Sequence, residues 1–499
     1  MARMARLPIM ARISIHTRKP LILLIACLLG VTAGGSSSDA AETSSSYNYS
    51  FWGETVAAPD AYEASGLYDG VSLGTGSFKA PNDLHVAKDG AIYVLDSGNN
   101  RVVILDSEFR LVRIVEAFEH DGAPDAFNNP QGLFVTDDNH LYIADTGNQR
   151  IVHLDAADKL IRIIDHPQSE LLADNFQFQP ARLVVDKANR IYAMATGVFD
   201  GFMEFSSDGT FTSFIGANRV TFSPSEYLWK MLSTRAQKSQ MVMFTPTEFT
   251  NLDIDSDGFL YATNGQRSDN VRKLNAQGND ILRKKGYFPP EGDVRFTTTD
   301  GPTRLVDVDV TDSDMYSILD SSRGRIFTYN GDGYLMYVFG GLGNQFGEFD
   351  TPTAIDRQGD DFLVLDKALG EITLFRTTEY GRTLNEAERS YFSGDEEQAY
   401  ALYEKTIDMN ANLEYAYSGI GKALLRQGEY AEAMKYFKRS EDRNHYSKAF
   451  LLYRKQQMRE YFPAVMTTLI ALAAIVVAWR KYRNLKGRRK VSSIEQRVV

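Results

Sequence analysis

Cysteine is almost missing from this sequence. Its 499 residues include one, Cys27, inside an N-terminal apolar stretch. That excludes a disulfide framework, a cysteine-based zinc site and a catalytic thiol in the mature body. Acidic residues are missing from 1–33, which hold Arg3, Arg6, Arg12, Arg18 and Lys19, and residues 462–499 have only Glu495. Thirteen of the 54 basic residues but one of the 65 acidic residues lie in those two ends, which leaves 34–461 with a net charge of −23. So acidic a body repels phosphate backbones, and no nucleic-acid partner is expected. No Gly-x-Ser-x-Gly elbow and no phosphate-binding glycine loop occurs. What is present is globular in composition, 43% hydrophobic and 24% charged, so the bulk is neither disordered nor polytopic.

Both ends read as membrane-directed. Leu21 to Val31 is an apolar run of signal-peptide length, and Val31-Thr32-Ala33 sets small residues before Gly34. Residues 1–33 are therefore expected to be a secretory signal. Leu24-Ile25-Ala26-Cys27 also fits a bacterial lipobox; the alternative is that Cys27 is removed with the segment. Residues 34–46, rich in Gly, Ser and Ala, read as a flexible spacer. Near the other end, Pro463 to Trp479 carries no charge, and Tyr461, Phe462 and Trp479 border it. At ~1.5 Å per residue this run reaches ~25 Å, the short end of a spanning helix. Arg480-Lys481-Tyr482-Arg483, Lys486 and Arg488-Arg489-Lys490 follow. The charge bias makes 462–479 a single transmembrane helix, 480–499 a basic cytoplasmic tail, and 34–461 extracytoplasmic. The alternative is a buried core helix.

Between these ends the sequence repeats. Residues 78–106, FKAPNDLHVAKDGAIYVLDSGNNRVVILD, align without a gap on 127–155, FNNPQGLFVTDDNHLYIADTGNQRIVHLD. Looser copies follow. Their anchoring prolines are Pro81, Pro130, Pro180, Pro246, Pro302 and Pro352, at spacings of 49, 50, 66, 56 and 50. Each copy alternates Val, Ile, Leu and Tyr between turn signals, which predicts short strands, in the first copy over 83–87, 91–96, 101–106 and 111–118. Four hairpin-linked strands make one propeller blade. The proline, strand, Tyr-x-x-Asp-x-Gly-Asn-x-Arg pattern resembles the NHL repeat. It is clearest at Tyr93, Asp96, Gly98, Asn99 and Arg101, and at Tyr142, Asp145, Gly147, Asn148 and Arg150. The resemblance covers about 78–378 and implies a mostly β chain with a six-bladed β-propeller, placed at 47–382. The last copy runs out after three strands near Phe375. Because Tyr47 to Trp52 alternates at period two, residues 47–56 are expected to pair with 371–376 and close the ring.

From Asn385 the composition turns to Ala, Glu, Lys, Tyr and Met. Residues 416–440 resemble a tetratricopeptide repeat through Tyr417, Ile420, Gly421, Leu424, Gly428, Tyr430, Ala433 and Phe437. A weaker copy lies about 34 residues earlier at Ala387, Gly394, Ala399 and Tyr403. A small all-α region is expected over 383–461, either as a structural stalk or as a dock for a peptide or protein.

Chemistry is harder to find. Asp253-Ile254-Asp255-Ser256-Asp257-Gly258 opens like a calcium loop, but Asn264 stands where the bidentate Glu is needed. The seven histidines, His16, His85, His120, His140, His153, His166 and His445, do not recur at one repeat position. The resemblance to propeller zinc lyases that ring the channel with histidine is therefore poor. Lactonases on related propellers hold a divalent ion in the channel. Asp96, Asp145, Asp320 and Asp366 end equivalent strands here, so calcium or another divalent ion held by them is the alternative to no cofactor. The bland reading is that each caps its own turn. The insertion around 217–243 carries Tyr227, Trp229, Lys230, Arg235 and Lys238. These are candidates for a ligand-binding lid, or else pack the insertion onto the ring.

No catalytic set emerges. The expected function is a membrane-anchored receptor or scaffold that binds a protein, peptide or glycan at the cell surface through its propeller and docks a partner through its helices. The alternative is a metal-dependent lactonase or hydrolase in the channel.

Overall fold

The computed structural model describes residues 46–172, 176–216, 248–265, 269–295 and 301–495. They form a six-bladed β-propeller followed by five helices. Blade 1 has strands Asp83–Val86, Ile92–Asp96, Arg101–Leu105 and Leu111–Val115. Blade 2 has Gly132–Val135, Leu141–Asp145, Arg150–Leu154 and Leu160–Asp165. Blade 3 spans Pro180 to Ile215 and blade 5 Leu305 to Gly340, again with four strands each. Alternation decides which side chains enter the inter-blade cores. Ile92 and Val94 face the blade 6 side with Leu363 and Leu365, while Tyr93 and Leu95 face blade 2 with Leu133 and Ile143. Burying each large aliphatic side chain contributes about 1.5–3 kcal/mol.

Blade 4 differs. Its sheet has three strands, Phe249–Ile254, Leu260–Asn264 and Val271–Leu274. The Ile281 amide donates to Lys273 O, but the Lys285 amide donates to Asp332 O on blade 5 and the Tyr287 hydroxyl to Ser440 O. The segment that would complete blade 4 is thus diverted along the neighbouring blade to the helices.

Ring closure corrects one expectation. Blade 6 joins Pro352–Gln358, Asp361–Asp366 and Glu371–Thr377 to the N-terminal strand Tyr62–Asp69, in antiparallel register from Glu371 with Asp69 to Thr377 with Tyr62. Residues 47–49 pair instead with 55–57. The alternation over Tyr47 to Trp52 stops at a turn where Gly53 has φ +73° and Trp52 is 71% exposed. Tyr62–Asp69 has the length and pattern closure needs. Tyr62 stacks on Phe339 at 4.7 Å and Tyr68 on Phe109 at 3.7 Å, while Glu63 and Asp69 face solvent.

The helices are α1 (Glu379–Ser393), α2 (Glu396–Met409), α3 (Glu414–Gln427), α4 (Tyr430–Arg439) and α5 (Arg443–Glu495). Thr378 caps α1 by accepting from the Gly381 amide, so the helices begin at 379, one residue after the last strand. Gly419 and Gly421 allow close packing, since a Cβ there would sit 2.6 Å from Tyr403 and 2.7 Å from Phe437. The helices share one apolar core with blades 5 and 6, through Leu384 and Ile420 against Tyr337, Phe339 and Phe362. Buried Lys422 reaches Asp332 at 2.8 Å. Helix α5 contains Pro463 and the one apolar stretch among the described residues long enough to cross a membrane; that stretch is not covered by the rest of the chain.

Candidate functional site

The first strand of every blade lines the axis. Aligned on their inner-strand pattern, two residues after the proline in four blades and five after it in blades 4 and 5, these strands read DLHV, GLFV, RLVV, NLDI, DVDV and AIDR, from Asp83, Gly132, Arg182, Asn251, Asp307 and Ala354. Residues two apart share a face, so two layers point inward. One holds Asp83, Arg182, Asn251 and Asp307. The other holds His85, Phe134, Val184, Asp253, Asp309 and Asp356. Both line an axial cavity of about 340 Å³.

The aspartates stitch the ring together. Asp83 accepts the amide of Leu133 on blade 2 at 2.8 Å, and Asp253 that of Val310 on blade 5 at 2.9 Å. Asp307 accepts from Ile355 on blade 6 at 2.6 Å, and Asp356 from Val86 on blade 1 at 2.7 Å. Charge-assisted bonds of this kind fix the lining before any ligand arrives. Asp309 takes the Arg357 Nε at 2.6 Å, and His85 Nδ1 lies 3.4 Å from Asp356. Arg182 crosses the axis at one end, donating to Asn82 O of blade 1 at 2.9 Å, and Lys367 of blade 6 donates to Asn82 Oδ1 at 3.0 Å. The cavity extends the other way, to Lys88, Asp137 and Asp312 in the turns between first and second strands.

Burial governs the electrostatics. It lowers the His85 pKa to about 4, so the imidazole is neutral at pH 7. Burial, then the neighbouring carboxylates Asp309 and Asp356, pushes Asp253 well above the ordinary carboxylate value. Asp356 is raised for the same reasons, first burial and then Asp309. In Asp309, burial outweighs the opposing pull of Arg357.

A second pocket of about 240 Å³ opens on the same face, between the turns of blades 4 and 5 and the end of α1. Lys273 is held there by Asp255 at 3.2 Å and by Asp314, over the rings of Phe259 and Tyr261 at 4.7 and 4.8 Å.

The aspartates singled out from the repeat lie elsewhere, at the turns between second and third strands. Asp96 accepts from Lys79 N, Asn99 Nδ2 and Arg101 Nε at 2.7–2.8 Å. Asp145 does the same with Asn128 N, Asn148 Nδ2 and Arg150 Nε. Asp320 takes Arg304 N, Ser322 N and Arg323 Nη1; Asp366 takes four backbone amides, of Asp350, Thr351, Ala368 and Leu369. All four are fully buried, and none lines the axial cavity. No group of three or more His, Cys, Asp or Glu among the described residues is placed to hold a metal ion. Asp255, in the calcium-like sequence, accepts the amides of Asp257 and Phe259 in a hairpin turn. Tyr227, Trp229, Lys230, Arg235 and Lys238 lie outside the described residues. The insertion's described flanks, Gly216 and Glu248, belong to the face of the second-to-third-strand turns, where Glu248 accepts the Gly197 amide. That is the face opposite the cavity's rim.

Sequence reasoning missed the inner-strand residues His85, Asp253, Asp309 and Asp356. Their signal was available for the acids: a carboxylate at the third position of the inner strand in each of the last three copies, Asp253, Asp309 and Asp356.

A family model for the NHL repeat matches residues 127–154, within the second blade copy. No curated protein matches the chain. Among solved structures, a selenomethionine-substituted virginiamycin B lyase from Staphylococcus aureus matches at 9% identity and a TM-score of 0.40, over 64% of this chain and 100% of its own. A candidate gluconolactonase matches at 13% identity and a TM-score of 0.40, over 64% of this chain and 94% of its own.

Proposed function

We propose that this chain is a membrane-tethered, extracytoplasmic binding protein. Its propeller takes a ligand at the acidic face, and its tetratricopeptide-like helices hold the ring and dock a neighbouring protein. The observation that carries this reading is the axial cavity, preformed by aspartates bonded to backbone amides and opening on the face where the helices pack. The apolar stretch of α5 supports a single span, with the basic residues from Arg480 onward on the cytoplasmic side.

Topology is tested first. A membrane-impermeant maleimide applied to intact cells should label Glu119→Cys on the propeller and spare Ser493→Cys in the tail. The reverse pattern overturns the reading. Binding is tested by thermal shift of the full chain in detergent micelles against panels of peptides and oligosaccharides. At least one class should raise the melting temperature.

The second reading, a divalent-metal-dependent lactonase-like hydrolase, draws on the His85–Asp356 pair inside the cavity. Lactone turnover by the purified chain that depends on added calcium and disappears in His85→Gln would replace the first reading with this one.

A further inference from the structure

The two cavities on the acidic face are neighbours across Asp312. Asp312, in the turn after the first strand of blade 5, lines both the axial cavity and the pocket beside α1. Side by side, they outline a groove that steps over Asp312 on the way from the propeller axis to Phe392, which stands 55% exposed at the end of α1.

Charge in the groove is one-sided. Seven aspartates line its axial part against one arginine and one lysine. Arg182 is occupied by Asn82 O at the far end, and Lys88 pairs with Asp137 at 2.7 Å. Burial favours a proton on Asp253, Asp309 and Asp356, and Asp309 also holds the Arg357 guanidinium, so a cationic occupant gains by displacing those protons while an anionic one meets only acids. The pocket beside α1 adds a separate sign of a missing partner. Tyr316 lines it and is 1% exposed, yet its hydroxyl has no hydrogen-bond partner. The adjacent Tyr261 hydroxyl, by contrast, donates to Asp314 at 2.8 Å. A buried hydroxyl left unpaired destabilises the fold, so a group that supplies its partner is favoured there. Phe259 and Phe392 give the same pocket apolar surface.

The geometry points to an extended peptide bearing a guanidinium or ammonium side chain as the occupant of this groove. The cationic side chain enters the axial cavity towards Asp253, Asp309 and Asp356. The peptide backbone crosses Asp312 and pairs with the Tyr316 hydroxyl, and an apolar residue covers Phe259 and Phe392. This rests on the propeller being a binding module and adds the chemistry of its ligand.

The test uses the full chain in detergent micelles and fluorescence anisotropy with a fluorescein-labelled peptide of glycine, arginine and phenylalanine. A counterpart carries citrulline, the neutral isostere, in place of arginine. The arginine peptide should bind at least tenfold more tightly, and more weakly as salt rises. Asp312→Asn should weaken it about threefold. Tyr316→Phe should also weaken binding while melting no lower than the parent, because it removes an unpaired hydroxyl and nothing else. Equal binding of the two peptides, or none by either, overturns the inference; so does a Tyr316→Phe chain that binds like the parent. If an oligosaccharide or neutral peptide raises the melting temperature and the arginine peptide does not, the inference falls and the binding-module reading stands. If nothing does, both fall.

Discussion

The two faces of the propeller use aspartate in opposite ways. On one face Asp96, Asp145, Asp320 and Asp366 occupy equivalent positions, and each spends its oxygens on three or four donors of its own turn and of the loop that leads into its blade. On the other, the acidic residues do not recur around the ring. Asp253, Asp309 and Asp356 occupy three adjacent blades, while the same layer holds His85, Phe134 and Val184 in the others. Recurrence in four of the six blades marks a device that serves folding. Departure from recurrence marks what one place on the molecule needs.

That comparison can be broken by mutation, starting from the ring as a whole. Deleting 62–69 leaves the edge of Glu371–Thr377 unpaired and should abolish cooperative unfolding by circular dichroism. Deleting 46–57 removes a hairpin held at Asp293 by the Tyr47 and Tyr49 hydroxyls and should lower the melting temperature without abolishing the transition. Next in size is Asp145→Ala. It empties the buried turn site and leaves the half-buried Arg150 guanidinium with Asp125 and the Ala126 carbonyl, and should cost about 3–5 kcal/mol in chemical denaturation. Ligand binding by the folded fraction should not change.

The pH response should separate the cavity face from the turn face. His85 titrates near 4 in the fold against 6.5 in the unfolded chain. Its contribution is complete above pH 6.5 and is lost as the pH falls towards 4, at most about 3 kcal/mol. His85→Gln should flatten that part of the stability profile. The smallest effect belongs to Asp312→Asn on the rim, within about 0.5 kcal/mol in stability, since a surface change away from caps and cores does little. A large loss there would give the rim a structural role and erase the contrast between the faces.

Much of the ring was legible because it is local. The repeating prolines and the Tyr-x-x-Asp pattern place the four strands of blade 1 to within three residues of their observed bounds. What was not legible depends on parts far apart in sequence. The alternation at Tyr47 to Trp52 looks like a strand, but the choice of closing strand is made by the unpaired edge of 371–377. Blade 4 loses its outer strand because Lys285 and Tyr287 find partners on blade 5 and at Ser440. The start of the helices was misjudged by four residues because Thr378 caps α1 directly after the sheet. The cavity residues stayed hidden because facing the axis is a property of the closed ring, and no single repeat displays it.

The closing sheet also sets a timetable. Tyr62–Asp69 is made early, and its partner Glu371–Thr377 comes about three hundred residues later. A ribosome or a translocation pore therefore releases five blades' worth of chain before the circle can shut, and long-range pairing of this sort is slow. Throughout that delay the waiting strand is an open edge. Glu63 and Asp69, charged and outward-facing, guard it against pairing with another chain.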